Sequence, residues 1–142
     1  MSFCKNIKQA GFFLILFVSI SCFANGVNNQ GIEQMKSKAL NGDVPTMNLL
    51  GNIYKSGHTM AAFNKPDYVE AKKWFELAAV HKHPSANYNL GTLYEVGGHG
   101  LEKDLKKAMN YYETSYNIGF GKNSLEKLRN ICKMPEVECL LK

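Results

Sequence analysis

From Pro84 to Gly119, apolar and polar side chains alternate with a helical period on both sides of a glycine-rich break. On a wheel of about 100° per residue, Leu90, Leu93 and Tyr94 share one arc, which predicts an amphipathic helix. Gly91 sits beside that arc, where a missing side chain lets a neighbouring helix come close. After the break, Ala108, Tyr111, Tyr112 and Ser115 alternate small and large residues at helical spacing, predicting a second helix packed on the first. The same pattern occurs one unit earlier. Leu50-Gly51-Asn52-Ile53-Tyr54 returns forty positions later as Leu90-Gly91-Thr92-Leu93-Tyr94, and Ala71-Lys72-Lys73-Trp74-Phe75 returns thirty-seven positions later as Ala108-Met109-Asn110-Tyr111-Tyr112. Tandem helical hairpins predict an all-α repeat array whose neighbours bury a common core.

The punctuation fits this reading. Residues 33–40 form a lone helical segment, half a unit, ending at Asn41-Gly42, where glycine can take the left-handed cap. Asp43 is placed to cap the next helix, and Pro45 and Pro84 are tolerated in first turns. Asp67 with Glu70 has the spacing of a capping box, and Asp104 stands at the equivalent start. The expected boundaries are units at about 43–82 and 83–119, a capping helix at 121–133, a repeat domain over 33–133 and a tail at 134–142. In the last helix Lys127-Leu128 replaces Leu-Gly, the decay expected where an array ends.

Upstream, Lys5 and Lys8 precede the apolar run from Gly11 to Ile20, and small residues follow to Ala24, the layout of a secretory signal peptide. The run falls short of the roughly 20 apolar residues that a membrane span needs. Residues 1–24 are therefore expected to be removed near Ala24, leaving a flexible lead-in at 25–32 and a periplasmic or secreted product of a Gram-negative bacterium. A rival reading takes Ser19-Ile20-Ser21-Cys22 as a lipoprotein box with a lipid anchor on Cys22, although such boxes usually begin with leucine.

The 142-residue chain suits one domain of modest size. Its net charge of +5 becomes +3 without the leader, as 15 basic side chains against 12 acidic. Because the lysines are interspersed with acids along the helices, they read as solvated faces and give no nucleic-acid motif. Candidate chemistry is sparse. His81-x-His83 has no nearby cysteine or carboxylate to complete a metal site, and His58 and His99 occupy equivalent loop positions, so they are expected to lie near each other along one rim. Helix capping accounts for Asp67 and Asp104. Neither a phosphate-binding glycine loop, a serine elbow nor a zinc-protease signature is present. The expectation is a non-enzyme with no cofactor and no metal.

Leu90, Gly91, Tyr94, Gly97, Gly100, Asp104, Ala108, Tyr111, Tyr112 and Gly119 together resemble the Sel1-like repeats, relatives of the tetratricopeptide repeats. The resemblance covers roughly residues 33–128. The first copy departs from it, with Lys82 where a closing glycine is expected and a longer loop from Gly57 to Pro66. The resemblance implies a right-handed α/α solenoid whose first helices line the concave side. On that side Tyr88, Thr92 and Glu95, with Asn48, Asn52 and Lys55 one unit earlier, are expected to meet a protein or peptide. Met60 and Phe63 place apolar side chains in a loop where turns are usually polar, and either meet a partner or fold back over the core.

The resemblance further implies a protein-binding adaptor or scaffold, expected to be monomeric. Some periplasmic relatives point to an alternative, an immunity-type inhibitor of a toxic enzyme, and some cysteine-rich relatives to a cell-wall or β-lactam hydrolase. The chain offers no nucleophile beside a base for the latter. Once the leader is removed, Cys132 and Cys139 remain, and in an oxidising compartment a disulfide is the economical reading, two unpaired thiols the other. Relatives with bridged cysteines at similar spacing favour the disulfide.

Overall fold

The computed structural model describes residues 30–59, 62–63 and 65–135. The expected signal peptide, Cys22, Met60 and Cys139 lie outside the described residues. Helix α1 covers residues 30–40, beginning inside the stretch read from sequence as a lead-in. It is followed by α2 (Val44–Ser56), the two-residue strands β1 (His58–Thr59) and β2 (Ala62–Phe63), then α3 (Tyr68–Val80), α4 (Pro84–Val96), α5 (Leu105–Asn117) and α6 (Gly121–Ile131). Helices α2 and α3 form the first hairpin, α4 and α5 the second, and α6 closes the end, giving an all-α solenoid.

The strands depart from a purely helical expectation. They pair antiparallel, His58 opposite Phe63 and Thr59 opposite Ala62, within the long first-unit loop. The second-unit loop makes a smaller version of the same turn, with Gly98 and Leu101 exchanging backbone hydrogen bonds of 2.7 and 2.9 Å. Gly97, at φ +66°, starts that turn against Lys103, whose backbone nitrogen would lie 2.8 Å from any Cβ there.

The helix starts are built alike. Asp43 accepts the Thr46 N–H at 3.1 Å, Asp67 the Glu70 N–H at 2.9 Å and Asp104 the Lys107 N–H at 2.9 Å. Each bond satisfies one of the donors left open in a first helical turn. The capping box read at Asp67 is only half formed. Glu70 turns to Lys73 at 2.8 Å, and the Asp67 N–H donates instead to the Tyr54 carbonyl at 2.9 Å. Asp104 N–H does the same with the Tyr94 carbonyl at 2.8 Å. The start of each second helix is thereby tied to the end of its first helix, which sets the hairpin angle.

The hairpins close over their glycines. A Cβ on Gly91 would lie 2.6 Å from the fully buried Tyr112 ring, and a Cβ on Gly51 would overlap the fully buried Phe75 ring. Each ring thus lies flat against the backbone of the partner helix. Trp74, Phe75, Leu50, Leu90 and Leu93 form one core spanning α2 to α4; Tyr94, Tyr112, Leu128 and Ile131 form a second reaching α6. A buried hydroxyl chain links α6, α5 and the start of α4: Ser124 Oγ donates to Ser115 Oγ at 3.0 Å and Ser115 Oγ donates to the Pro84 carbonyl at 2.9 Å. Lys82, where a closing glycine was expected, takes the left-handed conformation at φ 57° without one. The final helix ends at Ile131, two residues short of the expected 133, and Cys132 is its C-cap.

Gly91→Ala should lower stability by about 1–3 kcal/mol, because overpacking against an immobile ring outweighs the roughly 1 kcal/mol gained in helix propensity. Gly31→Ala, where a Cβ meets open space, serves as the control and should leave stability unchanged or raise it. Urea unfolding of both variants checks this; equal midpoints would contradict the packing role.

Candidate functional site

Three first helices, α2, α4 and α6, share a polar side joined by side-chain bonds across the units. Lys55 Nζ donates to Thr92 Oγ1 at 2.6 Å and to Asn89 Oδ1 at 3.4 Å. Asn89 Nδ2 donates to Asn48 Oδ1 at 3.3 Å, so the same amide reaches α2 in both senses. Thr92 Oγ1 in turn donates to the Asn89 carbonyl at 2.7 Å, which fixes the hydroxyl as an acceptor toward Lys55. Further along, Lys127 of α6 grips both Glu95 oxygens at 3.1 and 2.9 Å, and Tyr112 donates its hydroxyl to the same carboxylate. The resulting face runs from Asn48 to Lys127 with one carboxylate and two ammonium groups.

The electrostatics follow from this count. Burial pushes the Lys55 ammonium below the ordinary lysine range, the nearby Lys127 pushes it further, and Glu95 only partly offsets them. Burial, then the bond to Glu95, raises the Tyr112 phenol, so it remains a hydrogen-bond donor throughout the physiological range.

Of the residues read from sequence as partner-contacting, Asn48, Lys55 and Thr92 are brought together in this network, and exposed Asn52 lies on the turn between Asn48 and Lys55. Two others are placed differently. Tyr88 was expected opposite the buried arc, but it is half-buried, with its ring 5.4 Å from that of Tyr112 and 5.1 Å from that of Phe120. Wheel position alone did not anticipate the start of α6 folding over it. Glu95, read as open to a partner, is only 16% exposed and is held by Lys127 and Tyr112. Met60 lies outside the described residues, and Phe63 falls in β2.

Sequence reasoning missed Asn89 and Lys127. Asn89 is matched one unit earlier by Leu49, an exposed apolar residue, so repeat register concealed its polar role. Lys127 stood in the decayed Leu-Gly position, which was itself a signal. Among the histidines, His99 packs on Tyr68 of α3 at 4.8 Å between ring centroids, a contact between units. His83 is the N-cap of α4, without a side-chain cap bond, and its Nδ1 is buried with no partner among the described residues. No group of three or more His, Cys, Asp or Glu among the described residues is placed to hold a metal ion.

These features define a class of protein: a short solenoid of helical hairpins whose first helices present a continuous hydrogen-bonding face. A family model for the Sel1 repeat matches residues 44–79 and 84–120, and the chain belongs to the Sel1 repeat family. It is similar to the ERAD-associated E3 ubiquitin-protein ligase component HRD3B of Arabidopsis thaliana, 41% identical over 61 residues, which are 43% of this chain and 9% of that protein. It is also similar to the putative beta-lactamase HcpC of Helicobacter pylori, 48% identical over 46 residues, 32% of this chain and 16% of that one. The chain thus spans a small part of the length of either relative. Among solved structures, a Sel1 repeat protein from Oxalobacter formigenes superposes with a TM-score of 0.52 at 19% identity, covering 82% of this chain and 54% of that one, which supports the fold.

Burial holds the His83 imidazole below its ordinary pKa, so protonation favours the unfolded chain. The stability of the neutral ring is present above the unfolded value of about 6.5 and is lost as the pH falls below it. Cooling-reversible melts at about pH 7.5 and 5 should therefore show a larger drop in Tm for wild type than for His83→Asn, which keeps a side chain suited to the N-cap and does not titrate. Parallel drops would contradict this.

Proposed function

We propose that the chain is an exported protein-binding module, an adaptor or scaffold that holds a partner protein or peptide along the polar side of α2, α4 and α6. The observation that carries this reading is the continuity of that side, where Lys55, Asn89 and Thr92 join adjacent units into one surface. Fixed amides and hydroxyls suit the hydrogen bonds of an extended backbone, since groups already held in place lose little freedom on binding. The family supports a binding role over chemistry, and the hydroxyl beside Lys55, on Thr92, directs its proton to the Asn89 carbonyl and not to the amine. Export is supported by the leader layout of residues 1–24. A Cys132–Cys139 disulfide fits the same compartment and would fasten the tail to the end of α6.

A photo-crosslinking residue placed at exposed Asn52 in the producing cell should capture one protein, whereas the same residue at Glu113, exposed on second helix α5, should not. Capture from Glu113 alone would refute the face. A captured enzyme that loses its activity in the complex would make this chain an inhibitor. Intact mass of the same purified material should begin at Asn25 and fall two hydrogens short of the reduced chain; retention of residues 1–24 or two free thiols would count against export or the bridge.

A further inference from the structure

We propose that the polar face of α2, α4 and α6 takes an acidic side chain of an extended peptide, with Lys55 as the group that receives the carboxylate. This rests on the partner-binding reading above and names the chemistry of the partner. Four of the described lysines are not fully exposed: Lys36, Lys55, Lys72 and Lys127. Lys36 pairs with Glu33, Lys72 with Glu76 and Lys127 with Glu95, so of these four Lys55 alone is in ion-pair contact with no carboxylate among the described residues, Glu95 acting on it only from a distance. Removing an ammonium from water is unfavourable unless it is paired. Lys55 instead has two neutral oxygens, on Thr92 at 2.6 Å and Asn89 at 3.4 Å, which aim the head and leave a third proton to donate.

Glu95 does not fill that role. Its oxygens are already taken by Lys127 and by the Tyr112 hydroxyl. Because Lys127 lies close enough to disfavour the Lys55 charge, an incoming anion would relieve repulsion as well as satisfy a donor. The same Glu95 sets the limit on what can enter, since one excess positive charge beside a fixed carboxylate suits a single carboxylate better than a phosphate dianion. The amides of Asn48, Asn89 and exposed Asn52 supply donors and acceptors of the kind a peptide backbone uses. Polar positions continue on both sides of Lys55, toward Asn48 and toward Lys127, so the peptide passes through. A side-chain carboxylate fits that course, and a chain terminus does not.

The test is selection of phage-displayed random dodecapeptides, fused through their C-termini so that only side-chain carboxylates are offered, on the full chain as wild type, Lys55→Met and Lys55→Arg. Lys55→Met replaces an unpaired, half-buried ammonium with an apolar group of similar size and should melt no lower than wild type, which circular dichroism checks. Wild type and Lys55→Arg should enrich Asp or Glu at one fixed position at least about five-fold over the library, and a folded Lys55→Met should lose that enrichment. Enriched peptides without a fixed acidic position, or with one that persists in Lys55→Met, would overturn the assignment to Lys55. If those peptides still block crosslinking from Asn52, the partner-binding reading survives. Enrichment of nothing on any of the three overturns the acidic-peptide proposal, and crosslinking from Asn52 then decides the broader reading separately.

Discussion

The contact of an aromatic ring with a glycine backbone is the constraint on which the rest of this solenoid depends. Phe75 over Gly51 and Tyr112 over Gly91 bring two helices closer than any side chain would permit, and each ring is wholly buried by doing so. Burial of a side chain of that size contributes about 1.5–3 kcal/mol, and close packing adds dispersion that a looser pair would forfeit. Short helices of 13 residues are marginal alone in water, so their persistence rests on this tertiary contact.

The glycine also decides which side of the first helix is left over. With the ring seated on Gly91, the buried arc of α4 takes Leu90, Leu93 and Tyr94, and Asn89 and Thr92 turn outward from it. The neighbouring first helix is turned the same way by Gly51, so Asn48 and Lys55 arrive within hydrogen-bonding reach of Asn89 and Thr92. A polar face that spans units is therefore a consequence of how the cores close. Its donors and acceptors are oriented by the fold before any partner arrives.

Repetition made the architecture legible in the sequence. Leu-Gly-x-x-Tyr and Ala-x-x-aromatic-aromatic recur in register, and three aspartates occupy the helix starts that they cap in the structure. What repetition could not convey lies where the units differ. Leu49 and Asn89 hold the same register position, and only the second joins the network. Tyr88 reads as exposed on its own helix, yet the chain returns at Phe120 and covers it. Glu95 reads as free for the same reason, because Lys127 comes from a terminal helix whose pattern had already decayed. Periodicity reports what a helix does toward its own partner, whereas Phe120 and Lys127 reach α4 from one step further along the array and Asn89 reaches back to α2 of the unit before.

That difference between units bears on function. At the Glu95 end of the face, one carboxylate meets one ammonium and a phenol, a set that is internally satisfied and helps lock α6 onto α4 and α5. At the Lys55 end the ammonium is held by neutral oxygens alone among the described residues. Net hydrogen-bond energies are small when partners exchange with water, but a half-buried charge in ion-pair contact with no carboxylate stands apart from that balance. A fold that merely needed to join α2 to α4 could use the Asn48–Asn89 amide pair, which carries no such penalty. Retaining a charged head at this place makes sense if the missing half of the pair comes from outside the chain; on the proposed reading the satisfied end would act as structure and the Lys55 end as the surface that recognises a partner.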